Sequence, residues 1–223
     1  MSALTMTIKT GAFQSAIARK ARALLSTVLL CSLAPFAGAA ENPYTMIESV
    51  STELLDVVRS EGQLVSSNPQ RYYASIDRVL APVVDFDFIA MGVMADYAKQ
   101  ATPAQRAKFT SAFRRDLVAT FARGVASFGS MDVKVVNPGS VPKGGKVNVL
   151  QEVRSSEGLT KVAYTMARKK NGQWKLINVV LNGVNLGKTF RGQFSQAMQT
   201  NKGDLDKVIA NWSAADKVAD EMQ

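Results

Sequence analysis

Before Gly129 the apolar residues of this 223-residue chain recur at helical spacing, and after it they alternate as strands do. Phe109, Phe113, Leu117 and Phe121 stand four residues apart, with Val118 and Val125 beside them. That spacing keeps side chains on one helix face. Thr102-Pro103-Ala104-Gln105 opens this helix, because the Thr hydroxyl and the Gln amide can each serve the other's backbone donor. Upstream, Val50, Leu54, Val57 and Val58 form a helical stripe. Asn68-Pro69 starts a helix carrying Tyr72, Tyr73, Ile76, Val79 and Leu80, and Asp85 can cap one carrying Phe88, Ile89, Val93 and Met94. Downstream, residues 131–136, 146–153, 161–168 and 174–181 alternate or run apolar, separated by Pro138-Gly139, Lys143-Gly144-Gly145, residues 155–158 and Asn171-Gly172. Such short connections force antiparallel pairing. Helical spacing returns through Thr189, Phe190, Phe194 and Met198, then Leu205, Val208, Ile209 and Trp212. The expected fold is α+β: N-terminal helices, a four-stranded antiparallel sheet, then C-terminal helices packed on it.

Residues 1–40 read as a cleaved secretory signal peptide. They hold Lys9, Arg19, Lys20 and Arg22 and no acid, then the apolar run from Ala23 to Leu33, then Ala37-Gly38-Ala39-Ala40. The run is too short to cross a membrane, which takes about 20 residues, and cleavage is expected after Ala39 or Ala40. Cys31 follows Leu29-Leu30 instead of a small residue, so lipid attachment there is rejected. The single Cys leaves with the signal, and the chain has no His. Residues 41–223 are then one exported domain without disulfides, held by its apolar core. With neither His nor Cys there is no Ser-His-Asp or Cys-His catalysis and no His or thiolate metal ligand. Taking the four leader cations from 27 Lys and Arg leaves 23 against 18 acids, a net charge of +5. That modest charge selects no partner by itself.

Three other motifs invite a function. Gly183-Val184-Asn185-Leu186-Gly187-Lys188-Thr189 resembles a phosphate-binding loop but has one residue too few between its glycines, since position 182 is Asn. Asp85 and Asp87 suit a helix start better than an acid–base pair, because no third carboxylate is near them. Arg114-Arg115 and Arg168-Lys169-Lys170 lack the interleaved aromatics of a nucleic-acid face and read as solvated or docking cations. The strand at 174–181 is apolar on both sides, with Leu176 and Val180 expected on one face and Ile177, Val179 and Leu181 on the other. A long helix over such a sheet can enclose a cavity or a solid core, and spacing alone leaves both open.

Longer strings carry a resemblance. Asn42-Pro43-Tyr44, the run from Val93 to Arg106, Trp174-Lys175-Leu176, residues 182–186, Arg191-Gly192-Gln193-Phe194 and Gly203-Asp204-Leu205-Asp206 occur in order from about Glu41 to Trp212. Together they resemble the MlaC family of periplasmic phospholipid-binding proteins, also known as toluene-tolerance or organic-solvent-resistance auxiliary proteins. Where that family has Gly, this chain has Ala95. The resemblance implies a monomeric, non-enzymatic carrier in the Gram-negative periplasm, without cofactor or metal, that helps maintain outer-membrane lipid asymmetry. It further implies an apolar cavity for acyl chains and exchange with two complexes. One is an inner-membrane ABC transporter with a lipid-binding hexamer, the other an outer-membrane lipoprotein–porin complex; no nucleic-acid partner is implied. On this reading Phe113, Leu117 and Phe121 of the long helix, and Val149, Val162, Tyr164 and Met166 of the sheet, line the cavity. Val179, Leu181, Val184, Phe190 and Phe194 then lie near its mouth. The alternative is an exported enzyme or binding module for a small hydrophobic ligand on a similar scaffold.

Overall fold

A computed structural model describes residues 42–127, 130–136 and 143–213, so the expected signal peptide lies outside the described residues. Helices α1 (Pro43–Glu61), α2 (Leu64–Ser67), α3 (Pro69–Leu80), α4 (Phe86–Met94), α5 (Tyr97–Gln100) and α6 (Pro103–Ser127) come first. Strands β1 (Asp132–Val136), β2 (Lys146–Ser155), β3 (Gly158–Arg168), β4 (Trp174–Leu181) and β5 (Val184–Asn185) follow, then α7 (Leu186–Thr200) and α8 (Leu205–Ala210). The α+β expectation holds, with one strand more than expected. β5 is two residues long, folded back on β4 through Asn182 and Gly183, both at positive φ (48° and 90°). A two-residue strand has no period to read.

Local chemistry sets the helix ends. Asn42 and Asn68 each stand before a proline, and their side chains accept from Tyr44 N at 2.9 Å and Arg71 N at 3.3 Å. Asp85 accepts from Phe88 N at 3.1 Å. At the start of α6, Thr102 N donates to Gln105 Oε1 (2.9 Å) and Gln105 N donates to Thr102 Oγ1 (3.2 Å), the reciprocal pair expected from the sequence. α4 ends at Ala95 with φ 50° and ψ −125°, a region that suits glycine alone. Ala95→Gly is therefore expected to raise stability by about 1 kcal/mol. Urea unfolding would show this as a higher midpoint, and an unchanged or lower one would refute it.

The sheet is a meander in the order β1-β2-β3-β4-β5, antiparallel throughout. Register sorts its residues into cross-strand rows on the face turned to the helices. One row is Val147–Met166–Leu176, the next Val149–Tyr164–Val179. Beyond these come Val135–Gln151–Val162–Leu181–Val184 and then Val133–Val153–Thr160. The expected parity of β4 needs one correction. Leu176 shares the inner face with Val179 and Leu181, because the pairing slips between Thr165 and Met166 and Ile177 is skipped. Past the reach of β5, the free edge of β4 is bridged by the segment before α4: Asp85 N donates to Leu176 O at 3.0 Å and Leu176 N to Val83 O at 2.9 Å.

Two apolar clusters result. The first joins the inner face of the sheet to α1, α3 and the second half of α6, through Tyr44, Ile47, Tyr72, Ile76, Val118, Ala122, Val147, Val149, Met166, Trp174 and Leu176. The second is helical and rich in rings, joining α4, α6, α7 and α8 through Phe109, Phe113, Phe190, Phe194, Met198 and Trp212. Leu117 packs against both. Four residues of helix turn through about 400°, so the α6 stripe drifts by about 40° per step. Phe109 and Phe113 consequently face the ring cluster, Leu117 the junction, and Phe121 is 37% exposed.

Candidate ligand site on the inner face of the sheet

The rows on the inner face differ in how closely they are packed. Val147, Met166 and Leu176 are all buried, and Val149 with them. Farther along the strands Val133, Val153, Thr160, Leu181 and Val184 are only partly buried. Between α1 and β1 lies a cavity of about 240 Å³, open to solvent, lined by Ser51, Leu55, Val133 and Val135 with Glu48, Thr52 and Lys134 exposed at its rim. It opens beside the looser rows, and Ser51 is one wall of it.

One polar chain crosses the first cluster. Tyr164 OH donates to Gln151 Oε1 (2.7 Å), Gln151 Nε2 to Ser51 Oγ (2.6 Å), and Ser51 Oγ to Ile47 O (2.7 Å). Gln151 is 4% exposed, at an inward position among valines, so its amide depends on those partners. Burial holds the Tyr164 phenol well above its ordinary range, and it stays a neutral donor. Gln151, Ser51, Leu55, Val133 and Val135 went unremarked in the sequence. The alternation Val147, Val149, Gln151, Val153 carried a usable signal: a polar residue at an apolar-face position.

The twelve residues singled out from the sequence divide by environment. Val149, Tyr164, Met166 and Val179 meet on the inner face, Val149 and Met166 in the closely packed part. Val162, Leu181 and Val184 share the row of Gln151. Phe113, Phe190 and Phe194 belong to the ring cluster, where Phe113 meets Phe190 edge-on at 5.5 Å between centroids. Leu117 lies between the groups, and Phe121 sits at the surface end of the stripe.

The rival motifs resolve into structural roles. Gly187 N donates to Asn178 Oδ1 at 3.2 Å and Lys188 N to Asn185 Oδ1 at 3.0 Å, so first-turn donors of α7 that would cradle a phosphate are already engaged. A Cβ at Gly187 would lie 2.5 Å from Asn178 Oδ1 and would push that carbonyl off the helix start. Asp85 caps α4 and pairs with Lys169. Arg114 grips both oxygens of Asp77 at 2.7 Å and lies 5.0 Å over the Phe86 ring. Among the described residues no group of three metal-ligating side chains converges, and no helix is long and apolar enough to cross a membrane.

Comparison with known proteins supplies the family. Residues 48–214 match the family described as MlaC protein. The toluene tolerance protein ttg2D of Pseudomonas putida is 35% identical over 188 residues, covering 83% of this chain and 86% of that protein. Among solved structures, the phospholipid-binding protein from Ralstonia solanacearum, in complex with a phospholipid, superposes with a TM-score of 0.68. It covers 76% of this chain and 98% of its own, at 20% identity, which is a likeness of fold. A family match over most of the chain and a relative of that identity and coverage together show that this chain belongs to the MlaC family.

Proposed function

We propose that this protein is a soluble periplasmic phospholipid carrier, not an enzyme, exported by a signal peptide cleaved from residues 1–40. The observation that carries the reading is the inner face of the sheet, where apolar side chains loosen toward a cavity. It stands in a fold whose solved neighbour from Ralstonia solanacearum holds a phospholipid. Acyl chains would lie along Val162, Leu181 and Val184, bounded by Tyr164 and Val179, with Leu117 and Val149 in the packed layer behind. The deeper Met166 and the rings Phe113, Phe190 and Phe194 back them, and Phe121 stands at the outer end.

Physics gives such a carrier a reason to exist. Each methylene exposed to water costs about 0.8 kcal/mol, so a lipid with about 30 acyl carbons forfeits roughly 20 kcal/mol in an aqueous gap. An apolar wall removes that cost without a specific headgroup contact. Loading and unloading then belong to docking, which we assign to an inner-membrane ABC transporter with a lipid-binding hexamer and an outer-membrane lipoprotein–porin complex. The protein acts as a monomer between them and helps keep the outer membrane asymmetric.

The test is native mass spectrometry of the mature protein purified without detergent, with lipid extraction of the same sample. About one phospholipid per chain is expected. A mass that stays ligand-free after incubation with liposomes would overturn the carrier reading.

A further inference from the structure

The polar chain Tyr164–Gln151–Ser51 stands where the packing of the interior changes. On one side of it, toward Ile47, Val147, Val149 and Met166, side chains are closely packed and buried. On the other, Ser51, Leu55, Val133 and Val135 line the cavity, with Glu48, Thr52 and Lys134 exposed at its rim, and Val153, Leu181 and Val184 are partly buried. The chain spans the gap from the sheet, at Tyr164 and Gln151, to the backbone of α1 at Ile47 O.

The geometry points to this crossbar as the inner stop of the ligand cavity, making Gln151, Tyr164 and Ser51 the residues that limit acyl-chain length. The inference rests on the carrier reading. A methylene that finds apolar cover favours binding roughly fourfold. Driving it through the crossbar would leave an amide or a phenol buried without a partner, a loss on the order of ten- to a hundredfold. The opposing effects balance in favour of a chain that ends at Ser51. These are specificity residues, reading where the tail ends and making no contact with a headgroup.

The test uses the mature full-length domain and vesicles of phosphatidylglycerols, mixed in equal amounts and differing only in acyl-chain length. Gln151→Ala with Tyr164→Phe removes the polar atoms and opens space where the amide stood. Bound lipid, identified by native mass spectrometry, is expected to shift to longer chains by roughly fourfold for each methylene the opened space admits. Gln151→Ala alone, which leaves Ser51 Oγ bonded to Ile47 O, is expected to shift the profile in the same direction, and carries the test if the double variant does not fold. Variants that take up lipid with the wild-type chain-length profile would overturn the stop while leaving the carrier intact. A wild type that takes up no lipid would overturn the carrier reading, and the stop with it.

Discussion

Val179→Glu is expected to leave the protein folded and strip it of phospholipid. Val179 stands opposite Tyr164 on the inner face and is partly buried, next along β4 to the looser row of Leu181. With the cavity empty, a glutamate there can reach water. With an acyl chain against it, the carboxylate would have to shed its hydration without a partner, at a cost of several kcal/mol. Occupancy should therefore fall at least tenfold, the equivalent of about 1.4 kcal/mol. Leu150→Glu is the matched control: one residue from Val149, on the outer face and already 51% exposed, it should change neither stability nor lipid content. Native mass spectrometry and a thermal melt of both variants decide the matter. Full occupancy in Val179→Glu would mean that the chains lie elsewhere.

The largest loss of stability is expected at Phe109. Its ring lies 5.0 Å from Phe194 and 5.3 Å from Trp212, both edge-on, and 5.8 Å from Phe113, and it is completely buried. Phe109→Ala would remove the contact shared by α6, α7 and the segment after α8. Burial lost and cavity left together give about 3–5 kcal/mol, a large part of what a domain this size has to spare. Phe121→Ala, twelve residues on in the same stripe but 37% exposed, is expected to cost well under half as much, because far less burial is lost there. Urea unfolding curves separate the two. Equal losses would mean that the drift of the stripe has no energetic weight.

Much of the architecture was legible because short-range chemistry dictates it. The Thr102–Gln105 pair, the Asn68-Pro69 start and the turn at Gly172, with φ 87°, are settled by residues within four positions of one another. The same Asn-Pro signature at Asn42-Pro43 carries α1 farther upstream than its apolar stripe from Val50 marks. Helices α2 and α5, four residues each, are too short to show a period. The candidate site was legible only as a shared sheet face. Alternation put Val149, Val162, Tyr164 and Met166 on one face, which the pairing of β2 with β3 reproduces. It did not reveal which of them would be closely packed, because packing depends on what α1 brings to the sheet. Nor could alternation reveal the slip at Ile177, which is a property of two strands together.

That slip divides β4 into two stretches that can evolve separately. The first, Trp174–Leu176, is tied by backbone hydrogen bonds to Val83 and Asp85 and by buried side chains to the helical layer. The second, Val179–Leu181, pairs with β5 and leads into α7. Because a bulge absorbs a change of register, an insertion or deletion in the second stretch need not turn Leu176 away from the interior. Substitutions that reshape one part of the wall are thereby insulated from the anchoring of the strand. Residues 179–185 could thus vary in a lineage that keeps residues 174–176 fixed.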